Sequence, residues 1–384
     1  MSTRLLILLA LTVTALGVGG FFAVRAWNEQ QASQDDIDID SIKVVSSETL
    51  PGTRVTPVTT LPLDPKLNAI YCGVFQLAWT ELAQMLANEP LLLEGNPPAV
   101  AELNAMRFTR DDASTCQVQV SAGPATDELL EECAEKLRDI SAARPDLLTE
   151  TRTPNTFIAY GILEKSLSFA KQFDKLDPAI FRGADGDTKV KYFGYDAAQH
   201  DRHSAVGELF GQVFVADYVS STDFILCLDT NSEDDDLVLA RVPPQETLQA
   251  TVEAVNQRVA ESRKVRDWWK QGYRGEPLQI PLINVGLIHQ FKDLERTIAN
   301  LSLPESYIGT ALQAMRFKLD RTGAILKSEV RIEKEAKSEF REEPRKPREF
   351  IFNGPFLIYL TKRNSPRPYF VAWIANAELF QRAD

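Results

Sequence analysis

The sequence is poor in the side chains that do chemistry: its 384 residues include 3 histidines, 4 cysteines and 4 methionines. It has no glycine-rich phosphate loop, no Gly-x-Ser-x-Gly elbow and no Cys-x-x-Cys pair, the patterns that cradle a phosphate, expose a nucleophile or hold a redox dithiol. His200 and His203, with Asp201 between them, could ligate a metal only from a helix with a third ligand nearby; in a polar loop they read as surface histidines. Neither an enzyme nor a bound metal or cofactor is expected. Positive charge is scarce too: 42 Lys and Arg stand against 54 Asp and Glu, a net charge of −12. Nucleic acid is thereby excluded as a partner, since neutralising phosphates needs clustered basic side chains. The acidic run 233–236 lacks the alternating ligands and the glycine of an EF-hand loop and reads as a solvated turn. Cys72 and Cys227 fall in apolar runs, as buried thiols do, which leaves Cys116 and Cys133 as the pair to expect as a disulfide.

One long hydrophobic run is present, residues 5–24, uncharged and flanked by Arg4 and Arg25. At about 1.5 Å of rise per residue it spans a hydrocarbon core of roughly 30 Å, so it is expected to be an uncleaved signal-anchor that crosses a membrane. Arg4 lies before it, and Glu29, Asp35, Asp36, Asp38 and Asp40 come after Arg25. The positive-inside bias therefore places the body outside the cytoplasm, in a periplasm or an extracellular space. No cysteine follows the run, so a lipoprotein anchor is excluded. Residues 28–65 are acidic and then rich in Thr, Val and Pro, without helical period, and read as a flexible tether. The expected organisation is a membrane segment over 1–27, a tether over 28–65 and one folded domain over 66–384.

Within that domain the apolar stretch 67–86 reads as a buried helix. Short strands are expected over 107–120 and an amphipathic helix over 128–140. Two strands, 224–228 and 237–242, flank the acidic turn, and Pro243-Pro244 ends the second. A helix with Leu248, Val252, Val255 and Val259 on one face follows. Trp268-Trp269 reads as packing at a helix end, 281–285 as a core strand and 293–301 as a helix.

The chain is organised around residues 317–380. Phe317 and Leu319 alternate with Lys318, Asp320-Arg-Thr-Gly323 has turn chemistry, and Leu326, Val330 and Ile332 alternate with Lys327, Glu329 and Arg331. The pattern predicts that 324–332 pairs antiparallel with 315–319. Residues 333–348 are charged and cannot bury themselves. Two apolar strands, 350–360 and 369–377, close the chain.

This order, strand, exposed loop and two buried strands, resembles the C-terminal end of the serpin family. Phe352-Asn-Gly-Pro-Phe-Leu-Ile-Tyr-Leu360 is similar to the family's F-N-x-P-F-x-F-x-I, carried by Phe352, Asn353, Pro355 and Phe356. Gly323 stands where the family has its hinge glycine. The resemblance implies an α+β fold of mixed sheets covered by helices, here following an N-terminal transmembrane helix. It also makes 333–348 the reactive-loop equivalent, with Lys337, Arg341 or Arg345 as bait and Pro344 near its centre. Inhibition in that family needs small, uncharged residues after the hinge, and this chain has bulky and charged ones. A non-inhibitory binding or structural module is therefore expected, with a serine-type endopeptidase inhibitor, and hence a protease partner, as the alternative.

Overall fold

Much of the body forms strands, numbered here in chain order. The computed structural model describes residues 42–86, 89–140, 155–196, 206–264, 276–326 and 348–383 and assembles the strands into three sheets. The main sheet has the order β1 (Val45–Ser46), β12 (Ile283–Gln290), β13 (Tyr307–Asp320), β14 (Gly323–Leu326), β5 (Thr156–Ser168), β4 (Gln117–Pro124). A seven-stranded sheet runs β2 (Thr53–Thr56), β3 (Asn68–Cys72), β17 (Phe370–Ile374), β16 (Phe356–Lys362), β10 (Asp235–Arg241), β9 (Asp223–Leu228), β8 (Val213–Ser220). A four-stranded sheet runs β15 (Phe350–Ile351), β11 (Leu278–Pro281), β7 (Gly186–Tyr195), β6 (Asp174–Gly183).

The seven-stranded sheet is covered on both faces, which is why β16 and β17 read as unbroken apolar runs rather than as alternating ones. Phe356, Ile358, Leu360, Phe370, Ala372 and Ile374 face the large core shared with the main sheet. Leu357, Tyr359, Val371 and Trp373 face helix α5 (Leu248–Arg263) and its stripe of Leu248, Val252, Val255 and Val259. Helix α1 (Val74–Leu86) packs against β4 and β5. Helix α2 (Pro98–Asn104) leans on α1. Helix α3 (Asp127–Ile140) puts Leu130 and Cys133 over an apolar bed on the outer face of the main sheet: Ile158, Tyr160, Ile162, Leu312 and Ala314. A short helix α4 (Val206–Gly211) precedes β8.

Three expectations are corrected. Residues 43–65 are not tether, because the compact unit begins at Lys43. In that stretch β1 pairs with the β12 edge of the main sheet and β2 pairs with β3 at the edge of the seven-stranded sheet. The Thr-Val-Pro composition that reads as linker is, over 53–56, a strand alternating into the core. Residues 67–86 are a strand and a helix separated at Gly73. There Phe108 lies so close that a Cβ would come within 2.5 Å of its ring, while β3 gains ladder partners on both sides. Residues 293–301 form no α-helix; they hold the end of the 3-10 turn Lys292–Leu294 and isolated bridges from Thr297 to Tyr307 and from Ile298 to Leu93. Their backbone is used elsewhere: the Ile298 amide donates to the Ser306 carbonyl at 2.8 Å and the Ala299 amide to the Leu92 carbonyl at 2.7 Å. Helical spacing of apolar residues yields when the amides find non-local acceptors.

Residues 1–41, and with them the apolar run 5–24, lie outside the described residues, and among the described residues no helix is long and apolar enough to cross a membrane.

Candidate functional site

The main sheet contains a fork. Strands β5 and β13 run parallel and pair directly from Tyr307↔Thr156 to Gln313↔Gly161. Farther along they part, and β14 lies between them, antiparallel to both. Its pairs are Asp320↔Gly323, Leu319↔Ala324 and Lys318↔Ile325 on one side and Ser168, Leu167, Ser166 and Lys165 on the other. Between these two zones no ladder among the described residues joins 314–317 to 162–164. The described part of β14 is thus wedged into one end of a parallel pair that is zipped at its other end.

Local chemistry explains the wedge. The hairpin turn is Arg321-Thr322, and one Asp320 carboxylate oxygen accepts from the Thr322 amide at 2.8 Å and its hydroxyl at 2.6 Å. Asp320 also pairs with Lys318 at 2.7 Å. The turn is stitched to the end of β5, since the Phe169 amide donates to the Thr322 carbonyl and the Phe173 amide to the Arg321 carbonyl. Gly323 has φ +150°, and a Cβ there would come 2.0 Å from the Leu167 carbonyl oxygen, so only glycine lets the chain enter between the strands. Ala324 then turns into the core between Leu319 and Leu167.

Two buried polar features mark the fork. Gln313, 1% exposed, sits where the parallel ladder ends, and its amide has no hydrogen-bond partner among the described residues. Beneath the wedge Lys165 crosses from β5 to Asp235 on β10, N to O 2.5 Å. Asp235 also accepts from Thr115 at 2.7 Å, Ser232 at 2.5 Å and Tyr369 at 3.2 Å. Every acceptor site of this carboxylate is thereby used, which is what makes a buried charge tolerable. Neither feature is legible in the sequence, because Gln313 and Lys165 sit in strands whose depth depends on distant partners.

The far end of the charged loop is anchored by Arg348. Its guanidinium grips fully buried Glu276 with two hydrogen bonds of 2.8 and 2.9 Å and lies 5.2 Å from the Phe350 ring centre. The motif that follows is structural. Phe352 packs against Phe224 and Phe356, both at 5.0 Å between ring centres. The Asn353 side chain accepts from Arg241 at 2.8 Å, and its carbonyl accepts from the Arg182 amide at 2.9 Å. Pro355 leads into β16, whose first residue, Phe356, is fully buried.

Gly323 therefore lies at the fork, while Lys337, Arg341, Pro344 and Arg345 lie outside the described residues, as do His200 and His203. The antiparallel pairing with β13 expected for 324–332 is present at Ala324 and Ile325, and Leu326 pairs with Lys165 of β5; residues 327–332 lie outside the described residues. The expected Cys116–Cys133 bridge is not formed: Cys116 packs against the large core, and Cys133 is carried by α3 on the opposite face of the main sheet. An even cysteine count says nothing about facing directions, and here a sheet separates the pair. Burial pushes the Cys116 thiol up to about 12 even with Lys165 nearby, and that of Cys227 likewise, so both stay protonated.

No protein-family model matches the sequence, and no curated protein matches it. Solved structures do. Native protease nexin-1 with heparin is similar over 81% of this chain and 93% of its own, at 10% identity and a TM-score of 0.53. Serpin48 of the insect Tenebrio molitor aligns over 80% of this chain and 92% of its own, at 11% identity and 0.43. Manduca sexta serpin-12 aligns over 82% and 94%, at 11% identity and 0.47.

Proposed function

The chain carries a divergent serpin-like fold, and we propose that it is an exported, membrane-tethered protein acting as a binding or structural module rather than as a protease inhibitor. The observation that carries this reading is the apolar bed under α3. Extending the register of β14 residue by residue would set Glu329 between Ile162 and Ala314, and Arg331 between Tyr160 and Leu312. Val330 and Ile332 would face inward and gain roughly 3–6 kcal/mol. Removing two ions from water costs several kcal/mol each, even when they pair with one another, and the β5–β13 ladder must open first. Insertion beyond the wedge is uphill.

The test is cleavage. A trypsin-like protease cutting after Lys337, Arg341 or Arg345 should leave a nicked chain, no complex that survives denaturant, and a Tm within about 2 °C of the intact protein, equivalent to about 1 kcal/mol at this size. Replacing the two ions, Glu329→Ala with Arg331→Val, should let the cut strand enter and raise the Tm of the nicked form well beyond that. A large rise in the unaltered protein overturns the reading.

The fork itself favours a second reading, because a sheet already parted at one end is a sheet prepared to accept more strand. In that case 333–348 is bait for a serine-type endopeptidase, and a covalent complex is the deciding result. The tether in either reading rests on the uncharged run 5–24 and the acidic residues that follow it. No catalytic role is assigned.

A further inference from the structure

The chain passes from β15 to β16 through residues 352–355, and this crossing runs beside the end of β10 and the end of β6. It shares no residue with the fork. Arg241, the last residue of β10, holds the crossing with a single guanidinium nitrogen: Nη1 donates to the Ile351 carbonyl and the Asn353 side chain, both at 2.8 Å, and to the Ser221 carbonyl at 3.1 Å. All three acceptors are neutral. Nε and Nη2, which form the other edge of the fork-shaped group, make no hydrogen bond among the described residues, and no carboxylate among them pairs with Arg241.

A second cation stands next to it. The Arg182 amide donates to the Asn353 carbonyl at 2.9 Å, and its exposed guanidinium likewise makes no ion pair among the described residues. Burial lowers the pKa of Arg241; Tyr192 opposes that shift and the charge of Arg182 adds to it. A half-buried cation beside a second cation is ordinarily balanced by an anion, and in a chain of net charge −12 none of the described acids does so. Gly354 keeps the free edge open: it is buried, and a Cβ there would lie 3.0 Å from Arg241 Nη2. The Asn353 and Gly354 amides donate no hydrogen bond among the described residues, whereas backbone amides in a folded interior are ordinarily paired.

We propose that Arg241, Arg182 and the amides of this crossing bind a small tetrahedral oxyanion, phosphate or a phosphate monoester. The Nε–Nη2 edge of Arg241 donates to two oxygens in parallel, as guanidinium groups do to carboxylate and phosphate alike. A carboxylate would then have no oxygen left for Arg182 or for the amides. A phosphate has further oxygens, and its charge of nearly two matches the two cations.

The full chain is titrated by calorimetry with inorganic phosphate, glycerol 3-phosphate and acetate up to about 20 mM at constant ionic strength, well above a dissociation constant of about 1 mM. Phosphate should bind saturably at one site and acetate should not. Tighter binding of glycerol 3-phosphate assigns the site to a monoester, and equal or weaker binding assigns it to free phosphate. Gly354→Ala and Arg182→Gln should each weaken binding by about tenfold, the loss of one charge-assisted hydrogen bond. Arg182 is exposed, so its variant keeps the proposal testable if Gly354→Ala fails to fold. Phosphate should also raise the Tm of the unaltered chain more than that of Arg182→Gln, which separates binding from the general stabilisation of folded proteins by this salt. No saturable binding of phosphate, equal binding of acetate, or an unchanged affinity in Arg182→Gln would overturn the assignment.

Discussion

At Gln313 the chain keeps an amide in the core at the point where β5 and β13 separate, with no hydrogen-bond partner among the described residues. Leaving such a group unpaired costs about 1–3 kcal/mol. Gln313→Leu, of similar volume, should therefore raise the stability of the body by about that amount in denaturant unfolding; a loss of stability would show that the amide is satisfied by bound water. His289 gives a pH-dependent counterpart. Burial lowers its pKa from an ordinary 6.5 to about 4, with Glu48 opposing and Lys292 assisting, and its ring nitrogen lies 2.6 Å from the Ser47 hydroxyl. A base that is harder to protonate folded than unfolded makes the unfolded state bind more protons between those values, so stability falls as pH drops from about 6.5 to 4 and is flat below. The shift corresponds to at most about 3 kcal/mol. His289→Gln should flatten that slope in pH-dependent melts, and a slope unchanged by the substitution assigns it to other groups.

Among the elements, β1 and β2 have the clearest consequence. They add one strand to each of the two larger sheets and are held to the C-terminus, where Glu378 accepts from Thr53 at 2.6 Å and Asn376 donates to the Gly52 carbonyl at 2.8 Å. A chain beginning at Lys66, the boundary that composition alone indicates, loses both strands and exposes two sheet edges. It should melt well below a chain beginning at Lys43 or collect in aggregates; equal Tm values would return 43–65 to the status of tether. The hairpin at 320–323 was legible because its turn chemistry is local; the charged run 333–347 lies outside the described residues. The break at Gly73 and the missing helix at 293–301 were not legible, since each depends on partners far away in sequence: Phe108 for the first, Leu92 and Ser306 for the second.

For the whole molecule, the net charge of −12 and the N-terminal apolar run make a prediction about place. Protease added outside intact cells should digest the body, and alkaline carbonate should leave the full chain with the membrane fraction. Digestion only after lysis would reverse the orientation, and release by carbonate would remove the anchor.

By itself the sequence determined the features governed by neighbours in the chain: the turn at Arg321-Thr322, the amphipathic α3 and the apolar stripe of α5. It also carried the order of strand, loop and paired strands that resembles a serpin. Only the tertiary structure decided that β14 ends up between two parallel strands, that Cys116 and Cys133 face opposite sides of a sheet, and that residues 43–65 belong to the body. Those outcomes follow from which surfaces meet. A strand edge, a thiol or a Thr-Val-Pro stretch has no fixed environment until a partner from elsewhere in the chain supplies one.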